Sequence, residues 1–148
     1  DAAKICMNSG SHMFIANGKK DNPISNMLNK KKFTHFLPKI SSLDAKKKWI
    51  IGSLNSNGTI TIDDGAAKAL LNGKSLLAAG VNKINGSFEK GENVLILDQN
   101  NNQLARGLSS FSSEEIDKIK GKQSKEIEKI LGYLSKTEII HKDDMVLL

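Results

Sequence analysis

The sequence has one cysteine, few aromatic residues and no long apolar run. A single Cys6 excludes an internal disulfide framework and fits a reducing compartment, where we expect this thiol to be buried and inert. The cysteine and histidine content also provides no cluster for structural zinc. Apolar runs reach only four or five residues, as at residues 13–16, whereas a membrane-spanning helix needs roughly 20. We therefore expect no membrane partner.

Signals for export and for nucleotide binding are also missing. No basic segment followed by an apolar segment opens the chain, which predicts a cytoplasmic location. No glycine-rich phosphate loop is present. The chain opens on Asp1 rather than methionine, so we expect it to begin part-way through a longer protein. Its 148 residues, 39% hydrophobic and 26% charged, have a globular composition.

The positive charge is concentrated in the first third of the chain. Residues 1–48 hold 10 Lys against 3 Asp, while residues 49–148 hold 11 Lys and 1 Arg against 13 acids. Two lysine runs, residues 30–32 and 46–48, account for much of the net charge of +6. Short lysine runs are usually solvated faces, and a phosphate-tracking surface normally carries its own excess of charge. The later part therefore does not have the charge of a dedicated nucleic-acid module.

The first part of the chain alternates helices and strands. A helix over residues 2–9 ends at Gly10, and a buried strand is predicted at residues 12–16. A second helix starts near Pro23, and a strand at residues 33–36 ends before Pro38. The predicted inner face of the second helix consists of Ile24, Met27 and Leu28. This α/β fragment (residues 1–38) is too short to close a core, so its sheet partners are expected upstream.

Residues 39–45 are predicted to form a linker to a second domain, residues 46–148. Residues 49–51 are predicted to form a buried strand, with Trp49 anchoring the core. On this interpretation Trp49→Ala would cost about 3 kcal/mol or more. Asn57-Gly58 then marks a turn before an alternating strand at residues 59–62, whose Ile60 and Ile62 are expected to be buried.

The rest of the second domain is predicted to be mostly β. Asp63 or Asp64 caps a helix that ends at Gly73. Two later helices open at Ser112 and Ser124. The remaining predicted strands are residues 83–88, 93–98, 103–108, 138–141 and 145–148. Short strands at regular spacing with turns between them indicate a small barrel or sandwich.

No catalytic set emerges from the residues alone. His12, His35 and His141 lack ligand spacing, so structural roles are expected for all three. The acidic pairs at residues 63–64 and 143–144 lack the alternating oxygen ligands of a calcium loop, and capping or turn roles are expected there. We therefore predict no catalytic, cofactor-binding or metal-binding residue in this chain.

Several stretches of the second domain resemble a PUA domain, the small pseudobarrel found in RNA-modifying enzymes. The stretches are Asp64-Gly65-Ala66-Ala67, residues 75–81, residues 86–94 and Ala105-Arg106-Gly107. The resemblance implies a mostly-β PUA-like pseudobarrel with two helices in its C-terminal half. It also implies an RNA-binding module, for which the candidate residues are Lys68, Lys74, Gly80 and Arg106.

The whole chain, more narrowly, resembles the C-terminal portion of the bacterial glutamate 5-kinase family. The stretches that carry this resemblance are residues 47–50, 105–116, 121–133 and 140–145. The first part then resembles the end of an amino acid kinase domain, with residues 15–18 and 33–36 at two of its strands. The implied fold class is α+β overall: an α/β remnant of an amino acid kinase fold followed by the PUA-like domain.

This resemblance implies a metabolic role in proline biosynthesis. Members of the family transfer the γ-phosphoryl group of ATP, with Mg²⁺, to the side-chain carboxylate of glutamate. Their active-site residues correspond to positions upstream of Asp1, so none is carried onto this chain, which is expected to bind no ATP or Mg²⁺ and to be inactive by itself. The expected partners are the upstream kinase domain and further copies of the chain, and the PUA domain is an accessory for regulation or assembly. Its near-neutral charge favours this over RNA binding.

Overall fold

A computed structural model describes residues 1–29, 32–52, 56–133 and 136–148. The chain divides into two compact units, Asp1–Lys46 (the first unit) and Lys47–Leu148 (the second unit). Lys30 and Lys31 of the first lysine run lie outside the described residues. None of the helices found in these ranges is long and apolar enough to cross a membrane.

The first unit contains the predicted order of helices and strands. Its elements are α1 (Ala2–Asn8), β1 (Met13–Ala16), α2 (Pro23–Leu28), β2 (Phe33–Phe36) and the start of α3 (Ser42–Gly52). Strands β1 and β2 pair antiparallel, with Phe14 opposite His35. Gly10 follows α1 with φ +73°, a left-handed conformation that favours glycine at a helix end.

The burial predicted for the first unit is wrong. Phe14 and Ile15 of β1 are 44% and 51% exposed, and Ile24 and Leu28 of α2 are more exposed still. A short apolar run or helical spacing indicates that a segment has apolar side chains to bury, but not whether another layer covers them. A two-stranded sheet is at best marginally stable without such a layer.

The predicted strand at residues 49–51 is also wrong, because these residues belong to helix α3. A run of three apolar residues does not distinguish a buried strand from a turn of helix. The helix begins at Ser42, so the end of the predicted linker is helical too. Ile50 is fully buried, whereas Trp49 is 59% exposed. Ile50 therefore anchors α3 in place of Trp49.

We now expect Trp49→Ala to cost less than about 1 kcal/mol, because substitutions of exposed side chains have small effects. Ile50→Ala should cost about 2–5 kcal/mol, because it leaves a cavity in the core. Urea unfolding followed by circular dichroism compares the two variants. Trp49 fluorescence in the native chain should be water-like, and a blue-shifted spectrum would show that the indole is buried.

In the part of the second unit that the structure describes, one larger sheet, one small sheet and three further helices are found. Its elements are β3 (Gly58–Ile62), α4 (Asp64–Leu71), β4 (Leu76–Leu77), a 3₁₀ turn (Ala78–Gly80), β5 (Val81–Gly86), β6 (Asn93–Leu97), β7 (Gln103–Leu108), α5 (Ser113–Ile119), α6 (Ser124–Leu131), β8 (Glu138–Ile140), a 3₁₀ turn (Lys142–Asp144) and β9 (Met145–Leu147). The larger sheet has the order β5-β3-β6-β7-β9, and β4 pairs with β8. Strands β3 and β6 run parallel, and the other pairs are antiparallel. The predicted mostly-β architecture is confirmed.

The core of the second unit lies between the sheets and the helices. Ile60 and Ile62 of β3 are fully buried, as their alternation predicts. The core also includes Leu70, Leu76, Val94, Ile96, Ile116, Ile119, Ile127, Ile139 and Ile140. Each of α4, α5 and α6 therefore contributes apolar side chains to this core.

The start of α5 is fixed by a reciprocal pair of hydrogen bonds. The Ser112 hydroxyl accepts from the Glu115 backbone N–H at 3.3 Å, and Glu115 Oε2 accepts from the Ser112 backbone N–H at 2.9 Å, which is a capping box. The Tyr133 hydroxyl donates to Glu115 Oε1 at 2.5 Å. Burial acts to raise the pKa of Glu115, but the hydrogen bonds from Tyr133 and Ser112 and the charge of Lys90 together lower it.

We expect Tyr133→Phe to destabilise the second unit by about 1 kcal/mol at pH 7, because a partly exposed hydrogen bond to a carboxylate is lost. Because folding lowers the pKa of this carboxyl, its ionised form stabilises the protein at pH values above its ordinary pKa of 4.5. This contribution is lost as the pH falls through the folded-state pKa. The difference between wild type and variant should therefore shrink in acid. Urea titrations between pH 7 and pH 3 measure it, with Glu115→Gln as a variant that lacks the titrating group. A difference that grows in acid would contradict the assignment.

Candidate functional site

The second unit contains a cavity of about 530 Å³ beside the N-terminal half of α4. The other walls come from the 3₁₀ turn (Ala78–Gly80), β4 and β8. The lining residues are Asp63, Gly65, Ala66, Ala69, Lys74, Ser75, Leu77, Ala79, Gly80 and Glu138. The volume lies within the range of small-molecule pockets in proteins.

Asp63 joins two walls of the cavity. Its Oδ1 accepts from the Ala66 backbone N–H at 2.7 Å, which caps α4 as predicted. Its own backbone N–H donates to the Gly80 carbonyl at 3.0 Å. These bonds hold the N-terminus of α4 next to the 3₁₀ turn.

Gly80 permits a very close approach between the turn and the helix. A Cβ at this position would lie 2.4 Å from the Ala66 Cβ, closer than carbon atoms pack. Any larger residue must therefore push the turn away from α4. Glycine is required here because of this space, not because of its backbone freedom.

The opposite wall comes from residues far apart in the sequence. Leu77 of β4 pairs with Glu138 of β8, and the Ser75 hydroxyl accepts from the Lys142 backbone N–H at 3.0 Å. The Gly121 N–H also donates to the Ala78 carbonyl at 2.8 Å. The pairing of β4 with β8 brings Glu138 to a cavity that is otherwise lined by residues 63–80.

The cavity combines an apolar surface with a few charged side chains. Ala66, Ala69, Leu77 and Ala79 contribute methyl groups, while Lys74, Asp63 and Glu138 are the charged lining residues. Across the described ranges, no group of three or more His, Cys, Asp or Glu side chains could hold a metal ion. The arrangement is suited to a ligand with an apolar body and charged ends.

Two of the four candidate RNA-binding residues line this cavity. Lys74 and Gly80 do, whereas Lys68 is an exposed residue of α4 and Arg106 lies on β7, paired with Val146 and Leu95. Sequence reasoning missed Glu138, Ser75 and the position of Asp63 on the cavity wall. No motif links Glu138 to residues 63–80, because strand pairing alone brings it there.

The histidines and the cysteine lie elsewhere. In the first unit, His12 Nδ1 and His35 Nε2 lie 2.8 Å apart, and the His35 ring stacks on Phe14 at 4.0 Å. In the second unit, His141 Nδ1 accepts from the Asp143 backbone N–H at 3.2 Å. Cys6 is half-buried, so its predicted burial is only partial. The structural roles expected for the three histidines stay predictions.

Comparison with known proteins gives one family match, to the PUA domain, over residues 58–131, or 74 of the 148 residues. The chain is 61% identical over 146 residues to a glutamate 5-kinase of Pelagibacter ubique (strain HTCC1062). It is 48% identical over 149 residues to a glutamate 5-kinase of Thermoanaerobacter sp. (strain X514). Each match covers 99% of this chain and 40% of the relative. The chain therefore spans about two fifths of the length of these relatives.

Solved structures with similarity to this chain include two PUA domain proteins. A PUA domain from Aeropyrum pernix K1 is 23% identical, with a TM-score of 0.44, over 57% of this chain and 41% of that one. A PUA domain protein from Thermoplasma acidophilum is 21% identical, with a TM-score of 0.41, over 74% of this chain and 64% of that one.

Proposed function

Because this chain belongs to the PUA domain family through residues 58–131 and matches glutamate 5-kinases over 99% of its length, we propose that it acts as the C-terminal part of a glutamate 5-kinase. The observation that carries this proposal is the extent of the match. The match at 61% identity includes the first unit as well as the PUA domain. An isolated PUA module would not account for similarity over residues 1–46.

The proposed reaction of the complete enzyme is transfer of the γ-phosphoryl group of ATP to the side-chain carboxylate of glutamate, in proline biosynthesis. Such transfers depend on positioning and on neutralising phosphate charge, to which Mg²⁺ contributes. We assign both ATP and Mg²⁺ to residues of the enzyme upstream of this chain. This chain would then supply the end of the kinase domain and an accessory PUA domain.

Several large apolar side chains of the first unit are exposed, which supports this division. They include Phe14 and Ile15 of β1, Phe33 of β2, and Ile24 and Leu28 of α2. Exposed apolar surface of this extent usually marks a place where another part of the protein packs. The upstream kinase domain, within a cytoplasmic homo-oligomer, is the partner we propose for it.

The test is glutamate-dependent ATP consumption, measured in parallel on this chain and on the same protein extended upstream. We expect turnover by the extended protein and none by residues 1–148 alone. Deletion of residues 47–148 from the extended protein should leave measurable turnover, because the PUA domain is proposed as an accessory. Turnover by the isolated chain would contradict our placement of the active site, and none by the extended protein would contradict the kinase assignment.

RNA binding by the PUA domain is a second candidate function. It is favoured by the position of Lys74 and Gly80 on one cavity of a PUA domain, and Lys68 and Arg106 would extend the contact. The near-neutral charge of residues 49–148 opposes it. Binding of a short RNA should weaken steeply with salt if lysines neutralise phosphates, and a shallow salt dependence would count against this function.

A further inference from the structure

We propose that the cavity beside α4 binds a small zwitterion with an apolar body, of the size of a free amino acid. The inference goes beyond the proposed kinase function and does not depend on it. It is carried by the way the second unit combines one cationic side chain, two carboxylates and an apolar surface around about 530 Å³.

The charges of the cavity favour a zwitterion over a polyanion. Lys74 is the only cationic residue among the described lining residues, against Asp63 and Glu138. Two carboxylates repel the phosphates of a nucleic acid, whereas they complement an ammonium group. Lys74 in turn complements a carboxylate of the ligand. A molecule with one charge of each sign satisfies both sides.

Lys74 and Glu138 are the two charged groups proposed to contact the ligand. Asp63 Oδ1 already caps α4, which leaves Glu138 as the carboxylate for the ammonium group. Neither Lys74 nor Glu138 forms a side-chain hydrogen bond or ion pair with any residue that the structure describes. A ligand would therefore form new charge-assisted hydrogen bonds without breaking old ones.

The apolar surface sets the character of the ligand body. Ala66, Ala69, Leu77 and Ala79 present short side chains, so a branched aliphatic or ring-shaped body can fill the space. Gly80 keeps the turn close to α4 and so defines one wall. Apolar burial supplies affinity, and the two charges supply orientation.

Three matched probes test the proposal on the 148-residue chain. L-Leucine carries both charges, isoamylamine lacks the carboxylate, and 4-methylpentanoate lacks the ammonium group. Backbone amide shifts of Gly65 and Gly80 report binding in nuclear magnetic resonance titrations, and the same spectra show that each variant is folded. We expect L-leucine to bind in the millimolar range or tighter, and at least about 10-fold more tightly than either singly charged probe.

Two variants separate the charges. Lys74→Gln should weaken L-leucine and 4-methylpentanoate by about 10-fold and leave isoamylamine unchanged. Glu138→Gln should weaken L-leucine and isoamylamine and leave 4-methylpentanoate unchanged. Lys83→Gln on β5 and Glu128→Gln on α6 are exposed controls outside the cavity and should change none of the three.

Several results would overturn the proposal. One is the absence of shifts at Gly65 and Gly80 with all three probes. Another is equal weakening of all three by Lys74→Gln. A third is a short oligouridylate that shifts these amides while L-leucine does not, which would assign the cavity to RNA. Kinase activity of the extended protein is measured in a separate assay. A failure of the proposed kinase function would therefore not be confused with any of these results.

Discussion

Leu70→Ala is expected to destabilise the second unit by about 2–5 kcal/mol, whereas Leu71→Ala is expected to cost less than about 0.5 kcal/mol. The two leucines are neighbours on α4, but Leu70 is 1% exposed and Leu71 is 64% exposed. Truncation of Leu70 removes apolar burial and leaves a cavity in the core. Truncation of Leu71 removes atoms that already contact water.

Urea unfolding followed by far-ultraviolet circular dichroism measures both leucine variants. The pair is well matched because the substitution, the helix and the helix propensities are the same. Equal losses of stability would show that α4 packs through a different face. If Leu70→Ala loses little unfolding free energy, the core closes around the space that the side chain leaves.

Gly80→Ala is expected to cost about 1–3 kcal/mol, the range for an extra methyl group forced into a packed site. The new Cβ would lie 2.4 Å from the Ala66 Cβ, so the 3₁₀ turn or α4 must move. The movement would also strain the hydrogen bond from the Asp63 N–H to the Gly80 carbonyl. The cavity wall should change along with stability.

Ala66→Gly provides the matching test of this contact. Alone it should cost up to about 1 kcal/mol through helix propensity. Combined with Gly80→Ala it moves the methyl group from the helix to the turn, so the double variant should be more stable than the sum of the single losses predicts. Additive losses in a urea-based double-mutant cycle would show that Gly80 is required for some other reason.

Local signals were enough to predict most of the second unit. Alternation at residues 59–62 identified β3, and hydroxyl or carboxylate caps at Asp63 and Ser112 identified α4 and α5. These signals succeed because the side chains that cap a helix, or alternate along a strand, act within a few residues. The parallel pairing of β3 with β6 has no local signal and was not predicted.

The errors arose where burial depends on distant residues. Trp49 and Ile50 are adjacent and both apolar, yet only Ile50 is buried, because the orientation of α3 decides which side faces the core. In the first unit, the apolar run of β1 was recognised as a strand, but its exposure was not predicted. The candidate cavity shows the same limit: Gly80 and Lys74 were identified, whereas Glu138 reaches the cavity only through the pairing of β4 with β8.

Strands β8 and β9 have a consequence for the order of events during synthesis. Strand β8 completes the small sheet, β9 completes the larger one, and Ile139, Ile140 and Met145 fill the core from this final segment. The Leu148 N–H donates to the Leu104 carbonyl at 3.0 Å. The second unit therefore cannot close on the ribosome before residues 138–148 have been translated. Until then the nascent chain displays the unpaired edge of β7, the kind of strand edge that invites aggregation.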